Sequence, residues 1–517
     1  MKGMAIYMDI MVLLPIVIPI ITGFFLLMAS FLEHRKKGQV KELNLKRIHM
    51  FVGFALLLST GLAVYAAWTG DRSVCLFRLV DEIPVYFSID AVGRVFVTVV
   101  SIVWLLAGAF SVVYMKHEGD EKRYFGFFLL LYGVLVGLDF AGNLVTMYLF
   151  YELMTLASFP LVLHNGSKEA IMAALKYLFY SMCGAYAGLF GIFVLYKYCN
   201  TLDFVAGGSI NALAIQGHES LLLVAVFFML IGFGAKAGMF PLHAWLPTAH
   251  PVAPSPASAC LSGIIVKSGV LAILRTVYYV VGPEWIRGTW VQYVWMTLTL
   301  ITVFMGSMLA FREKVFKKRL AYSTVSQISY ILFGLSVLSA TGFAGALMHT
   351  VAHAFIKCGL FLTAGVFLYQ FGYSRVEQLK GIGRKMPIVL WCYTFFSLAL
   401  IGIPPTAGFI SKWYLAEGAL ESGVGLFSWL GPVVLLVSAL LTAGYLLPVT
   451  MQGFFPGEEE EESEGKAPKT SKKRQKCEPS LWMLIPLIVL AVLVVVLGVC
   501  PNGIIQYLGE IAASVLG

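Results

Sequence analysis

The sequence predicts an all-α polytopic membrane protein, and three features carry that reading: its composition, the spacing of its apolar stretches and the placement of its basic residues. Of 517 residues, 59% are hydrophobic and 13% are charged. The charged share is about half that of an ordinary soluble domain. Mean hydropathy is +0.83. A helix needs about 20 apolar residues to cross a bilayer, and the chain offers about fourteen such stretches.

The stretches can be taken in order. The first, 9–32, has no small-residue cleavage site before the basic segment that follows, so it is expected to stay as a helix and not to be removed as a signal peptide. The next two, 49–68 and 87–114, complete an N-terminal group of three helices in residues 1–122. Five follow within 123–281, at 124–141, 142–164, 171–198, 220–247 and 254–281. Five more occupy 288–453, at 288–311, 320–339, 341–370, 386–419 and 429–453. A charged loop at 454–479 leads to a last helix at 480–500 and a tail ending at 517. The loop contains GEEEEESEGKAPKTSKKRQK, an acidic run followed by a basic one, which reads as a solvated segment, with docking of a cytoplasmic partner as the alternative.

Basic residues set the orientation. The connections 33–48, 115–123, 165–170, 312–319, 371–385 and 454–479 hold 25 of the 37 Lys and Arg, whereas the opposite side holds five: Lys2, Arg72, Arg78, Arg94 and Arg287. By the positive-inside rule the richer side is cytoplasmic, and both termini lie outside a cell membrane. This asymmetry also accounts for the basic pI, so no nucleic-acid partner is implied.

Seven Lys and Arg fall inside apolar stretches. Lys176, Lys197 and Arg275 lie near helix ends, where a long side chain reaches the interface. Lys236, Lys267, Lys357 and Lys412 do not, and Glu152 in MYLFYELMTL has the same standing. A charge at the centre of a membrane helix costs about 3 kcal/mol on insertion scales, which points to an ion pathway. Pro241 follows Lys236 by five residues, and Pro404 and Pro405 precede Lys412 by eight and seven. Proline removes a backbone donor inside a helix, so both spans are expected to be broken. Broken helices in the two halves of a transporter commonly mark inverted repeats.

His349, His353 and Lys357 in ALMHTVAHAFIKCGLF are spaced four apart and share one helix face, along which a proton could pass. Zinc is the other reading of two histidines at that spacing, but no HExxH glutamate and no nearby Cys or Asp completes a ligand set. His243 and His250, in FPLHAWLPTAHP, are either further relay groups or hydrogen-bonded structural histidines.

Four segments then resemble a family: GFGAKAGMFPLHAWLPTAHPVAPSPASACLSGIIVKSGVLAILR at 232–275, FYELMTLASFPLV at 150–162, KKRLAYSTVSQISYI at 317–331 and GIPPTAGFISKWY at 402–414. They are similar to the antiporter-like subunits of the superfamily that includes respiratory complex I, Mrp sodium/proton antiporters and membrane-bound hydrogenases. The resemblance covers nearly the whole chain. It implies fourteen helices with two inverted five-helix repeats, Glu152 pairing with Lys236, Lys267 as the central lysine, and His349, His353 and Lys357 on a polar axis between two half-channels. It also implies Lys412 at a position where members carry lysine or glutamate, and lysine there argues against the complex I branch that uses glutamate. The run AHPVAPSPASACLSGIIVK looks more like hydrogenase-type and Mrp-type members than the largest complex I subunit, whose long C-terminal amphipathic arm is not expected here.

In the mechanism this implies, a nearby carboxylate stabilises a buried ammonium, so movement of Glu152 relative to Lys236 switches the lysine's hold on its proton. Charge then passes through Lys267 and the histidine face to Lys412, with water in the gaps. The eight cysteines form no CxxC pair, and neither GxGxxG nor GxxxxGK[ST] nucleotide motifs occur, so no cofactor, iron–sulfur cluster or metal is expected in this chain. Energy must come from partners: other membrane subunits, with iron–sulfur, hydrogenase or dehydrogenase subunits among the candidates, or a sodium gradient handled by a neighbouring subunit. A standalone sodium/proton antiporter and a purely structural membrane subunit are the alternatives.

Overall fold

The computed structural model describes residues 9–36, 42–80, 83–456 and 477–516. The acidic and basic run at 457–476 therefore lies outside the described residues. Helices α1 (Ile10–Lys36), α2 (Glu42–Trp68), α3 (Ala91–Glu118), α4 (Glu121–Asp139), α5 (Leu144–Val162) and α6 (Lys168–Tyr198) open the chain. Next come α7 (Glu219–Ala237), the short α8 (Leu246–Val252) and the long α9 (Ser255–Val281), which is π-helical at Leu261–Ile265 and Arg275–Val281. The second half holds α10 (Trp290–Arg312), α11 (Phe316–Ser336), α12 (Ala340–Phe371), α13 (Pro387–Ile401), α14 (Ala407–Glu421), α15 (Leu426–Phe454), α16 (Leu481–Val499) and α17 (Asn502–Leu516).

Among the described residues, eleven helices are long and apolar enough to cross a membrane. The chain is a multi-pass membrane protein. The helices outside that group are informative. Helix α4 carries Glu121, Lys122 and Arg123 in its first turn and Asp139 at its end, α11 begins Phe-Lys-Lys-Arg and continues with Ser, Thr and Gln, and α13 and α14 are each 15 residues long.

Two helices form the centre. In their most apolar windows α9 is 100% buried and α12 is 94% buried, whereas α1, α6 and α15 each have less than half of theirs buried. A helix apolar on all sides and buried on all sides must be surrounded by other helices, and exposed apolar faces suit lipid. Helix α12 packs against α3, α9, α11, α13, α14, α16 and α17.

Both proline-containing stretches are interrupted. Helix α7 stops at Ala237, and Gly238 takes a left-handed φ of 79°, which glycine adopts without Cβ strain. The chain resumes as α8 at Leu246, and the Trp245 indole donates to the Ala235 carbonyl at 2.8 Å, satisfying one acceptor that the helix end leaves over. In the second half α13 stops at Ile401, Gly402 has φ 93°, and α14 starts at Ala407, beyond both prolines.

Two elements differ from the sequence reading. Residues before α3 form an antiparallel hairpin, β1 (Ser73–Val80) with β2 (Ile83–Ser88), with Ser73 opposite Ser88. The span read as starting at 87 starts at Ala91 because Asp90 caps it, accepting from the Gly93 amide at 2.8 Å. The region read as a C-terminal tail contains helix α17, whose Leu508, Ile511, Ala512 and Val515 recur at helical spacing and are buried.

Candidate functional site

The first ionisable pair lies across α5 and α7. Lys236 is fully buried in the last turn of α7, where the helix C-terminus favours a cation. Its Nζ donates to Thr155 Oγ1 at 2.8 Å, Tyr177 Oη at 2.8 Å and Ser181 Oγ at 3.1 Å. Tyr177 Oη is in turn 2.6 Å from Ser158 Oγ, and the Tyr177 ring lies 4.5 Å from the ammonium. Glu152 is half-buried and, among the described residues, makes no ion pair within 4 Å. Helix α5 brings Glu152 to the same region as Lys236, but hydroxyl groups hold the ammonium.

Lys267 lies on α9 between its two π-helical segments. Two residues on, Gly269 lets α9 approach the main chain of α7: a Cβ there would stand 2.6 Å from the Phe233 carbonyl oxygen and 2.8 Å from the Ala237 nitrogen. Lys236 and Lys267 are thereby on helices in direct contact. Lys267 Nζ donates to the Ser262 carbonyl at 2.6 Å and is 2.6 Å from His353 Nδ1. One proton serves that second contact, so the lysine and the imidazole share it as donor and acceptor.

From His353 the contacts run along α12 and into α14. The rings of His353 and His349 are 5.9 Å apart, and His349 Nδ1 is 2.8 Å from Ser411 Oγ. Ser411 adjoins Lys412 in sequence. The Lys412 side chain turns back across the break and donates to the Leu400 carbonyl at 2.6 Å and the Ile401 carbonyl at 3.0 Å, the last acceptors of α13. The Tyr330 ring lies 4.9 Å from its ammonium and stacks on His349 at 5.6 Å. Lys357, one turn beyond His353, is fully buried and donates to the Leu320 carbonyl of α11 at 3.0 Å. It shares the helix face with the two histidines but bonds to α11 and not to a group of the run from Lys267 to Ser411.

The remaining histidines are separate from that run. His250 is fully buried and stacks on Phe361 at 4.5 Å, and neither ring nitrogen has a partner among the described residues. His243 is half-buried beside the Phe240 ring at 6.0 Å.

Three charged groups have different positions from those read in the sequence. Lys317 and Arg319, counted with the basic loop 312–319, are buried in the first turns of α11: Lys317 Nζ donates to the Ala253 carbonyl at 2.5 Å, and Arg319 donates to the Glu313 and Tyr445 carbonyls at 2.8 and 2.9 Å. Arg275, read as reaching the interface, is 1% exposed, pairs with Asp90 and lies between the Phe204 and Tyr279 rings at 4.6 and 4.7 Å. Sequence reading passed over Asp90 and Asp139. Both stand near the end of an apolar stretch, where a charge is ordinary, and not inside one as Glu152 does. No three His, Cys, Asp or Glu side chains converge on a common point among the described residues.

The model of the NADH:quinone oxidoreductase/Mrp antiporter transmembrane region matches residues 141–442, which include every charged group of the run. The chain belongs to this family. A second model, the N-terminus of chain 5 of NADH-ubiquinone oxidoreductase (complex I), matches residues 80–125. Within the family, the chain is 32% identical to NADH-quinone oxidoreductase subunit N of Desulforudis audaxviator, over 81% of this chain and 82% of that one. It is 27% identical to a subunit of the Na(+)/H(+) antiporter of Alkalihalophilus pseudofirmus, over 98% of each. Its fold superposes with TM-score 0.81 on a chain of the membrane-bound sulfane sulfur reductase, an archaeal respiratory membrane complex, at 23% identity and covering 98% of this chain and 97% of that one.

Proposed function

We propose that this chain is a proton-translocating subunit of a multisubunit ion pump in the cytoplasmic membrane, carrying protons along Glu152, Lys236, Lys267, His353, His349 and Lys412. The observation that supports this best is the series from Lys267 through His353 and His349 to Ser411, joined by two hydrogen bonds and a 5.9 Å ring approach, with the Tyr330 ring stacked on His349 and 4.9 Å from the Lys412 ammonium. Buried amines and imidazoles of this number serve no packing need, and charged groups inside a membrane protein ordinarily mark ion pathways or proton relays. Lys357 stands beside the run as a further group able to hold a proton, and His243 and His250 are side groups near the first break.

The same reading takes the architecture as fourteen spans, with residues 123–281 and 288–453 as inverted five-helix repeats and both termini outside. It gives the chain no redox site. Driving energy comes from neighbouring subunits, with iron–sulfur, hydrogenase or dehydrogenase subunits as candidates. The near full-length similarity to a Na(+)/H(+) antiporter protein favours a second reading, in which the partners are membrane subunits of a cation/proton antiporter and sodium travels through a neighbour.

The test is reconstitution of the native complex, extracted gently and identified by mass spectrometry, into liposomes with an interior pH dye. Proton movement that stops in Lys412→Ala while the complex stays assembled supports the reading. Normal movement in that variant removes Lys412 from the path, and activity of the purified chain alone replaces the subunit reading with a standalone antiporter.

A further inference from the structure

One buried carboxyl group stands beside the proton path without belonging to it. Asp139, the last residue of α4, is 3% exposed, and its Oδ2 has no hydrogen-bond partner among the described residues. A buried carboxylate oxygen without a donor is costly, and native proteins rarely keep one without a use. A small cavity of about 20 Å³ is lined by both Asp139 and Lys267, with Ser268 and Thr350 also at its wall and apolar side chains around the rest. A single water needs roughly 10–15 Å³ on this measure and two to four polar partners. The hydroxyl hydrogens of Ser268 and Thr350 are committed to the Ile265 and Ala346 carbonyls at 2.6 and 2.9 Å, which leaves their oxygens as acceptors.

Beyond Asp139 the polar groups continue to the surface. A Cβ added to Gly93 would stand 2.6 Å from the Asp139 carbonyl oxygen and 3.1 Å from Asp90 Oδ1, so the two aspartates flank one glycine. Asp90 accepts from Arg275 Nη2 at 2.6 Å, and its side chain is 35% exposed, whereas that of Arg275 is 2% exposed. Three groups, Lys267, Asp139 and the Asp90–Arg275 pair, thus lead from the core to the end of the molecule where α3 begins.

We propose that Asp139 is the proton acceptor of a side branch that connects Lys267, through one water in this cavity, to the surface at Asp90 and Arg275. The inference rests on the proton-translocation reading above. The step is balanced: the Lys267 ammonium gives a proton to the water, the water gives one to the Asp139 carboxylate, and a neutral amine, a neutral carboxylic acid and the same water remain. Return of the proton to the lysine, or its loss toward Asp90, restores the carboxylate. Arg275 stays charged throughout and attracts the ionised form of Asp139 electrostatically.

The experiment is infrared difference spectroscopy on the intact complex, combined with the liposome assay, for Asp139→Asn, Lys267→Gln and Lys412→Ala. A carboxylic-acid C=O band that vanishes in Asp139→Asn and shifts in Lys267→Gln is expected, together with pumping lowered about tenfold by Asp139→Asn and largely restored in Asp139→Glu. Val99→Ile, which places a methyl group in the cavity wall and leaves both ionisable groups intact, is expected to lower pumping in the same way, and it carries the test if Asp139→Asn fails to assemble. Normal pumping in Asp139→Asn and Val99→Ile with loss in Lys412→Ala overturns the branch and leaves the main path standing. Loss in the two branch variants with normal pumping in Lys412→Ala keeps the branch and removes the main path's outlet. A spectrum in which no band depends on Asp139, or one indifferent to Lys267, also overturns the branch.

Discussion

The two broken helices each carry a lysine beside the break, and they hold it by different chemistry. Lys236 stands in the last turn before its break and bonds to three hydroxyls, of Thr155, Tyr177 and Ser181. Lys412 stands in the second turn after its break and bonds to two main-chain carbonyls, of Leu400 and Ile401. Carbonyls only accept, so at the second break every proton in the contact comes from the lysine. Hydroxyls give or take, so at the first break the hydrogen bonds can reverse when the lysine changes its proton. The first break is therefore suited to switching and the second to holding a proton at a fixed point.

The comparison breaks most sharply at Lys412. Lys412→Ala removes the terminal group of the proposed path and is expected to abolish proton movement in liposomes. The two carbonyls it leaves belong to a helix end, and each costs about 1–3 kcal/mol if it finds no other donor, so the complex should remain extractable at a lowered melting temperature. Full pumping in the variant would mean that the second break is only a structural staple.

Glu152→Gln comes next and tests the switch at the first break. Among the described residues no carboxylate oxygen lies within 4 Å of the Lys236 ammonium, so in the proposed switch Glu152 acts through space and not through a contact. Charges several ångströms apart at an effective dielectric near 20 interact by on the order of 2 kcal/mol, which corresponds to about a thirtyfold fall in coupled transport. The same rate in Glu152→Gln as in the parent complex would leave the hydroxyls as the whole of the first site.

The parts of this comparison that the sequence made legible are those in which a charge interrupts an apolar run. Glu152, Lys236, Lys267, Lys357 and Lys412 stand out because nothing near them in sequence is charged, and the spacing of His349, His353 and Lys357 by four is visible without a structure. Both breaks were readable from Pro241 and from Pro404 and Pro405. What holds each lysine was not readable. Thr155, Tyr177 and Ser181 come from α5 and α6, distant in sequence from Lys236, and a carbonyl acceptor such as that of Leu400 carries no residue signature at all. Lys317 and Arg319 were misplaced because a Lys-Lys-Arg run at the start of a helix looks like a basic loop, while their burial depends on α8, α15 and the turn at Ala253 packing over them. Arg275 was misplaced because its partner Asp90 lies 185 residues earlier. The hairpin at 73–88 and helix α17 were missed for a different reason: both are short and lie beside long apolar stretches that dominate any hydropathy window.

Tyr177→Phe probes a single hydroxyl of the first site. The ring and its 4.5 Å approach to the ammonium are kept, while the contacts to Lys236 and Ser158 are lost. One net hydrogen bond is worth about 1 kcal/mol, so pumping should fall about fivefold, measured as the initial rate of dye response. Because Thr155 and Ser181 still hold the lysine, the fall should be partial. Complete loss would make Tyr177 an obligatory carrier of the proton, and no loss would show the hydroxyl network to be redundant.

The smallest effect separates hydroxyl chemistry from packing at Thr155. This side chain is buried, and its Oγ1 both donates to the Tyr151 carbonyl at 3.2 Å and accepts from Lys236. Thr155→Val keeps the shape and removes the oxygen, whereas Thr155→Ser keeps the oxygen and removes one methyl group. If the first break works through reversible hydrogen bonds, Thr155→Ser should pump within about twofold of the parent and Thr155→Val about threefold to fivefold more slowly, the scale of one hydrogen bond. The methyl deletion costs about 1 kcal/mol of packing, which appears in melting temperature and not in transport rate. A serine variant as slow as the valine variant would reverse the interpretation: the side chain would then matter for the fit of α5 against α7, and the contrast between the two breaks would rest on Tyr177 and Ser181 alone.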